Sequence, residues 1–384
     1  MALLAGLVAC LVVAGREPTP PPLVHSAAAP STKRYLASVP SAIIAPEGSW
    51  TLAMRASDFR EASRRIDRLA PAEAARPPVR YARARAAMAL GDFVRAAPLL
   101  QGLEASLPLL SDDVKRARAE CALAIGPFAD AAGFFAARPD PDSAVKAGLA
   151  YERAGDLVHA RAMLDRALLL LGSAKDARST GIRIRARALR AKVALSLTDA
   201  KTAEADLRFL AVEAPSSDAG RSAEADLAAL PVPAHLTASE ELTRAHHLAE
   251  AGLLDDALRA IDVAETCPGT KPAAAALLRA RGLACYLSRT DYSKAASFLE
   301  RAAKLEPNEA AHDAFLAARA MSRAEDDAGA SLRDEARARR FPTSPFAEEA
   351  RYRAARLRFL LGQWDAAADA YRHYLAVHPK AHPG

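Results

Sequence analysis

The stretch LGQWDAAADAYRHYLAVHP, residues 361–379, decides the fold. Gly362 opens it, Trp364 and Ala367 follow, then Tyr371 and Leu375, and Pro379 closes it. Trp364, Ala367, Tyr371 and Leu375 share one side of an α-helix. Gly362 suits the left-handed turn that ends a preceding helix, because it has no Cβ to clash. Pro379 ends the new helix after about four turns, since it lacks an N–H and crowds the turn before it. The stretch therefore predicts two helices joined by a tight turn. Trp364 would plug the gap between these two helices and the next pair, and Ala367 would let the helices approach closely, where a Leu would overpack by about 1–3 kcal/mol. On this reading Trp364→Ala costs about 3–5 kcal/mol.

The same device recurs along the chain. It stands as Ser57-Asp58-Phe59 with Ala62, Gly91-Asp92-Phe93 with Ala96, Gly126-Pro127-Phe128 with Ala131, and Gly155-Asp156-Leu157 with Ala160. It returns as Thr198-Asp199-Ala200 with Ala203, Leu253-Leu254 with Ala257, Asp291-Tyr292 with Ala295, and Asp326-Asp327 with Ala330. Taking the third residue as the anchor, the spacings are 34, 35, 29, 43, 54, 38, 35 and 37. Phe59, Phe93, Phe128, Leu157, Leu254, Tyr292 and Trp364 are the expected packing anchors. Pro108, Pro215, Pro307, Pro342 and Pro379 each lie 15 residues after an anchor. This period and these small residues resemble tetratricopeptide repeats, built as helix–turn–helix units. The expected fold class is all-α, a tetratricopeptide-type α-solenoid, forming a right-handed superhelix of about nine helix pairs.

The long interval between anchors 200 and 254 predicts an extra short helix over about Asp218–Leu230. A stiff Pro231-Val232-Pro233 link follows, and Thr237-Ala238-Ser239-Glu240 reads as a capping box starting a new helix. The expected organisation is an apolar leader over 1–15, a Pro/Ala-rich tether over 16–46, and two stretches of repeats over 47–230 and 231–384.

Composition agrees with helices. Of 384 residues 51% are hydrophobic, 26% charged and only 5% aromatic. Such a chain folds, and it lacks the aromatic supply that β-sandwiches prefer. A net charge of +6, spread over the chain, and the absence of any nucleic-acid recognition motif argue against a nucleic-acid partner.

Ala2 to Gly15 is an uncharged apolar run, shorter than the ~20 residues of a spanning helix. It fits an export signal better, apart from a missing basic start. Leu7-Val8-Ala9-Cys10 resembles the lipobox of bacterial lipoproteins, which implies lipidation at Cys10 and membrane attachment through the N-terminus only. Cys121, Cys267 and Cys285 are scattered without a C-x-x-C, so buried small side chains are expected rather than zinc or redox chemistry.

Two segments resemble the helical N-terminal region of bacterial soluble lytic murein transglycosylases. These are PVPAHLTASEELTRAHHLAEAGLLDDALRAID (231–262) and FPTSPFAEEA (341–350). The latter, leading into LGQWDAAADAYRHYL, is also similar to repeat-containing outer-membrane assembly lipoproteins. The first resemblance implies a non-catalytic region associated with peptidoglycan; the second implies a lipoprotein scaffold that binds partner proteins. Both imply an exported protein of the periplasm or its membranes. The Glu-Ser and Gly-Leu-Met-Gln segments that carry transglycosylase catalysis do not occur in this sequence, so no catalytic residue is transferred. If the chain continued beyond Gly384, such an enzyme domain would be expected there. Otherwise the uncovered face of the Trp364 pair would dock a partner.

Other chemistry is sparse. No cofactor and no metal is expected: His246-His247 and the group His373, His378 and His382 lack the spacing of a zinc set. Arginine shows one pattern. Arg76/Arg80/Arg83, Arg183/Arg187/Arg190 and Arg333/Arg337/Arg340 each run i, i+4, i+7. The first two triplets precede an anchor and are expected to line the groove, gripping an anionic protein, peptide or peptidoglycan partner.

Overall fold

The computed structural model describes residues 49–269 and 271–379. Cys10, the apolar run, the tether and His382 lie outside them. The described residues form helices α1 (Trp50–Arg55), α2 (Phe59–Asp67), α3 (Pro71–Ala74), α4 (Pro77–Ala89), α5 (Phe93–Leu100), α6 (Leu103–Ser106) and α7 (Ser111–Ile125). Then come α8 (Phe128–Ala136), α9 (Pro141–Arg153), α10 (Leu157–Leu171), α11 (Ala177–Ser196), α12 (Ala200–Glu213) and α13 (Asp218–Ala228). The remainder are α14 (Ala238–Glu250), α15 (Leu254–Thr266), α16 (Ala274–Leu287), α17 (Tyr292–Leu305), α18 (Ala310–Arg323), α19 (Asp327–Arg340), α20 (Ala347–Leu360) and α21 (Trp364–Val377). Among the described residues there are nine helix pairs and no strand. None of these helices is long and apolar enough to cross a membrane.

Two compact units divide inside α2, at Arg65 and Ile66. In the first, Ser49 caps α1, and Arg65 ties Glu61 at 2.7 Å and the Ser49 carbonyl at 3.1 Å. In the second, most helices pack on their successors, α12 packs on α14 across the extra α13, and α9 packs on α11 as α14 does on α16. This is an all-α solenoid of tetratricopeptide type.

The small residue three after each anchor explains the close packing. Ala62, Ala96, Ala131, Ala160, Ala203, Ala257, Ala295 and Ala330 are 0% exposed, and Ala367 is 2%. Where a first helix crosses a Leu of its partner, even a methyl is too much: a Cβ on Gly148 or Gly282 would lie 2.8 or 2.7 Å from Leu164 or Leu299 Cγ.

The turns share one design that spacing alone did not reveal. In seven of the nine, the residue two before the anchor is left-handed and donates its N–H three residues back. The next residue donates five residues back, as Asp92 N–H does to the Ala87 carbonyl at 2.9 Å. This pair of bonds is a Schellman motif. The residue that completes it is also the N-cap of the following helix. Asp58, Asp92, Asp156, Asp199 and Asp326 each accept a backbone N–H three residues on, while Leu253 and Gln363 hold the position without a side-chain cap. Hydrogen bonds from Thr202 and Arg161 pull the Asp199 carboxyl down to about 2.

Two expectations need correction. Pro108 does not end the helix that starts at Phe93. Pro98 removes a backbone N–H inside α5, which stops at Leu100, and Gly102 turns the chain at φ 74°. Trp364 fills no gap among the described residues: it is 61% exposed and touches Phe359 edge-on at 5.0 Å. The loss expected for Trp364→Ala falls accordingly to about 1 kcal/mol.

The extra helix α13 and the capping box of α14 are where the sequence placed them. Thr237 accepts from Glu240 N–H, and the Glu240 carboxylate accepts from Thr237 N–H at 2.7 Å.

Candidate partner-binding crevices

The arginine stripes face the chain's own oxygens. Arg80 donates to the carbonyls of Leu99 and Gln101 at 3.1 and 3.0 Å, and Arg83 pairs with Asp67 at 2.5 Å. Arg183 closes the α10–α11 loop through the carbonyls of Gly172 and Ala174. Arg187 and Arg190 clasp Asp206, and Arg190 continues to Asp165 at 2.6 Å. Arg76, exposed, is the N-cap residue of α4. In the third triplet Arg333 pairs with Glu300, Arg337 is buried against Asp334, and Arg340 lies over the Phe341 ring. The spacing identified a helix face, and apart from Arg76 and Arg340 its guanidiniums meet carboxylates and carbonyls of the same fold.

The anchors take up equivalent places. Phe93, Leu157, Leu254 and Tyr292 pack half-buried against the clusters centred on Leu100, Leu164, Ile261 and Leu299. Phe59 and Phe128 are half-buried as well, with Arg153 5.8 Å from the Phe128 ring. All three described cysteines are buried and unbridged, and burial pushes the Cys121 thiol up to about 11. His246 and His247 share Glu250, and His247 reaches Glu213 at 3.5 Å. Among the described residues no three His, Cys, Asp or Glu side chains converge as a metal set.

Two open crevices lie beside breaks in the regular design. The first crevice, of about 500 Å³, lies beside the shortened α5. Ala97, Pro98, Gln101, Ala119, Pro127 and Phe134 line it, with Glu104, Lys115, Arg118 and Asp130 as its charged side chains. Pro98 cuts α5 short on one side, and the Gly126-Pro127 connection departs from the Schellman design on the other. The second crevice, of about 630 Å³, is lined by Glu250, Tyr286, Leu287, Arg289, Tyr292 and Arg323. Here the α16–α17 turn carries one residue more than its counterparts: Arg289 is left-handed at φ 60°, and Thr290 precedes the capping Asp291.

Helix pairs, a buried small residue and turns that end one helix while starting the next define a tetratricopeptide-like helical scaffold. Similar folds occur in Naa15/Naa10 bound to HypK-THB, at 14% identity and TM-score 0.24 over 84% of this chain and 61% of that one. Yeast Tom70 is similar at 14% identity and TM-score 0.30, over 81% and 88% of the two chains. The P58(IPK) TPR domain is similar at 14% identity and TM-score 0.24, over 85% and 90%. Likeness of this strength says nothing of what the chain binds. No family model matches the chain, and no curated protein matches it.

Proposed function

We propose that this chain is a non-catalytic scaffold that holds partner proteins or peptides. The observation that supports this reading is the pair of open crevices at the breaks in an otherwise regular repeat. Each presents charged side chains beside apolar ones, and mixed surfaces of that kind suit a polypeptide better than a small apolar ligand. A photo-crosslinking residue placed at Lys115 or Arg289, and at exposed Val158 on α10 outside both crevices, tests it. The scaffold reading expects a discrete crosslinked partner from the crevice positions and none from Val158. Equal labelling at all three would overturn it.

The setting we propose is the bacterial envelope, supported by the apolar run Ala2–Gly15 and the segments 231–262 and 341–350. Within it, the favoured reading is the peptidoglycan-associated helical region of a lytic-transglycosylase-like protein. The alternative is an assembly-type lipoprotein anchored at Cys10. Purified sacculi that retain the chain, with no lipid mass on Cys10, favour the first; a lipidated N-terminal peptide without sacculus binding favours the second.

A further inference from the structure

We propose that the crevice at the ends of α14, α16 and α18 takes an acidic peptide segment, a carboxylate meeting Arg289 and Arg323 while an apolar side chain covers Tyr286 and Leu287. This deepens the scaffold reading and rests on it. Most arginines at helix contacts here are matched by carboxylates, but among the described residues no carboxylate lies within 4.0 Å of Arg289 or Arg323. Their lack of a partner is built in. Arg323 is held by stacking, 4.4 Å from the Tyr286 ring centre and 5.8 Å from that of Tyr292, with the two rings 6.1 Å apart at 73°. A guanidinium stacked on a ring keeps its N–H donors at its edge, where a carboxylate can accept two of them.

Arg289 lines the crevice from the left-handed position after α16, where a side chain is disfavoured, and the added Thr290 stands between it and the capping Asp291. The one acid in the crevice wall is engaged from its own helix: Glu250 faces His247 Nδ1 at 3.2 Å and His246 Nε2 at 3.6 Å. The balance of unengaged charge is therefore positive. The floor is apolar, since Tyr286 is 8% exposed and packs with Leu287, Tyr292 and Leu254. A volume of about 630 Å³ exceeds what a lone carboxylate fills, and it suits a short stretch of chain that alternates acid and apolar side chains.

The test is fluorescence anisotropy of the full chain with a labelled peptide of alternating glutamate and leucine, against the same peptide with glutamine for glutamate. The acidic peptide should bind at least about tenfold more tightly and lose affinity as salt rises. Arg289→Gly combined with Arg323→Gln should remove that advantage. Arg289→Gly alone relaxes the turn, so a weaker complex with this variant is not a folding defect. Arg339→Gln, an exposed arginine elsewhere, should change nothing. Equal binding of the two peptides, or undiminished binding by the double variant, overturns the proposal. If the double variant binds the acidic peptide undiminished while Lys115 still gives a crosslinked partner, the acidic-peptide site falls and the scaffold reading stands. If no crosslinked partner forms at any position, both fall.

Discussion

Asp206 on α12 and Glu241 on α14 are both shut from solvent, at 0% and 2% exposure, yet the chain treats them in opposite ways. Asp206 accepts from Arg187 Nη1 and Arg190 Nε at 2.7 Å and from Arg190 Nη2 at 2.8 Å. Arg190 is held above the usual guanidinium range by its bond to Asp206, which outweighs its own burial. Glu241 has one distant donor, Arg244 at 3.5 Å, and that guanidinium lies closer to Glu224 at 2.5 Å. Its Oε2 has no hydrogen-bond partner, and burial pushes its carboxyl up to about 7. Burial alone does not fix the charge of a carboxylate; the number of donors brought to it does. Asp206 sits within a regular pair, where the partner helix supplies arginines in register. Glu241 sits at the joint after the extra helix α13, where that register is interrupted.

The strongest way to break the contrast is Asp206→Ala. It strands two guanidiniums against a buried gap and should cost about 3–5 kcal/mol, read as a lowered urea midpoint. A loss under about 1 kcal/mol would mean the clasp behaves as a surface pair.

Glu241→Gln should act in the other direction. The folded state raises this pKa from 4.5 to about 7, so it binds the proton more tightly than the unfolded chain does. The stability this contributes is full below about pH 4.5 and is lost as pH rises through 7. The glutamine variant should therefore match the wild type near pH 4.5 and exceed it by about 1–3 kcal/mol at pH 8. Parallel stability curves at all pH would show that folding leaves the Glu241 pKa where it is in the unfolded chain.

The smallest effects sharpen the comparison at the turns beside the two sites. Thr198 joins α11 to α12 at φ 59°, and Gly252 joins α14 to α15 at φ 80°. Thr198→Gly should gain and Gly252→Ala should lose about 0.5–1 kcal/mol, since only glycine occupies that region without a steric cost. Shifts of the same sign in thermal midpoint would contradict the shared turn geometry.

Much of the fold was legible because repeat spacing, small residues and proline positions are properties of consecutive residues. Ala203 and Ala257 could be identified as contact points before any contact was known, and so could the Thr237 capping box. The aspartates at 58, 92, 156, 199, 291 and 326 were visible too. Their constant place, one residue before the anchor, signals an N-cap, and the glycines drew attention away from it. The fate of the arginines was not legible. An i, i+4, i+7 stripe says which face Arg183, Arg187 and Arg190 share, but Asp206 belongs to the next helix, and only the packing angle decides that it fills their reach. Arg289 follows α16 by two residues and Arg323 ends α18, so comparing cations near the ends of successive first helices would have brought them together. Pro98 was present but masked by the regularity of the landmark at Pro108.

The turn design also sets how the molecule comes apart. A residue such as Asp199 or Asp326 finishes the Schellman bonds of one helix and caps the next. Fraying that starts at either helix end thus releases the other, and melting has no natural stopping place between the two members of a pair. The cooperative unit of opening is then the pair rather than the helix. Amide protons on α11 and α12 should exchange with one common free energy, and the steps along the chain should fall between pairs.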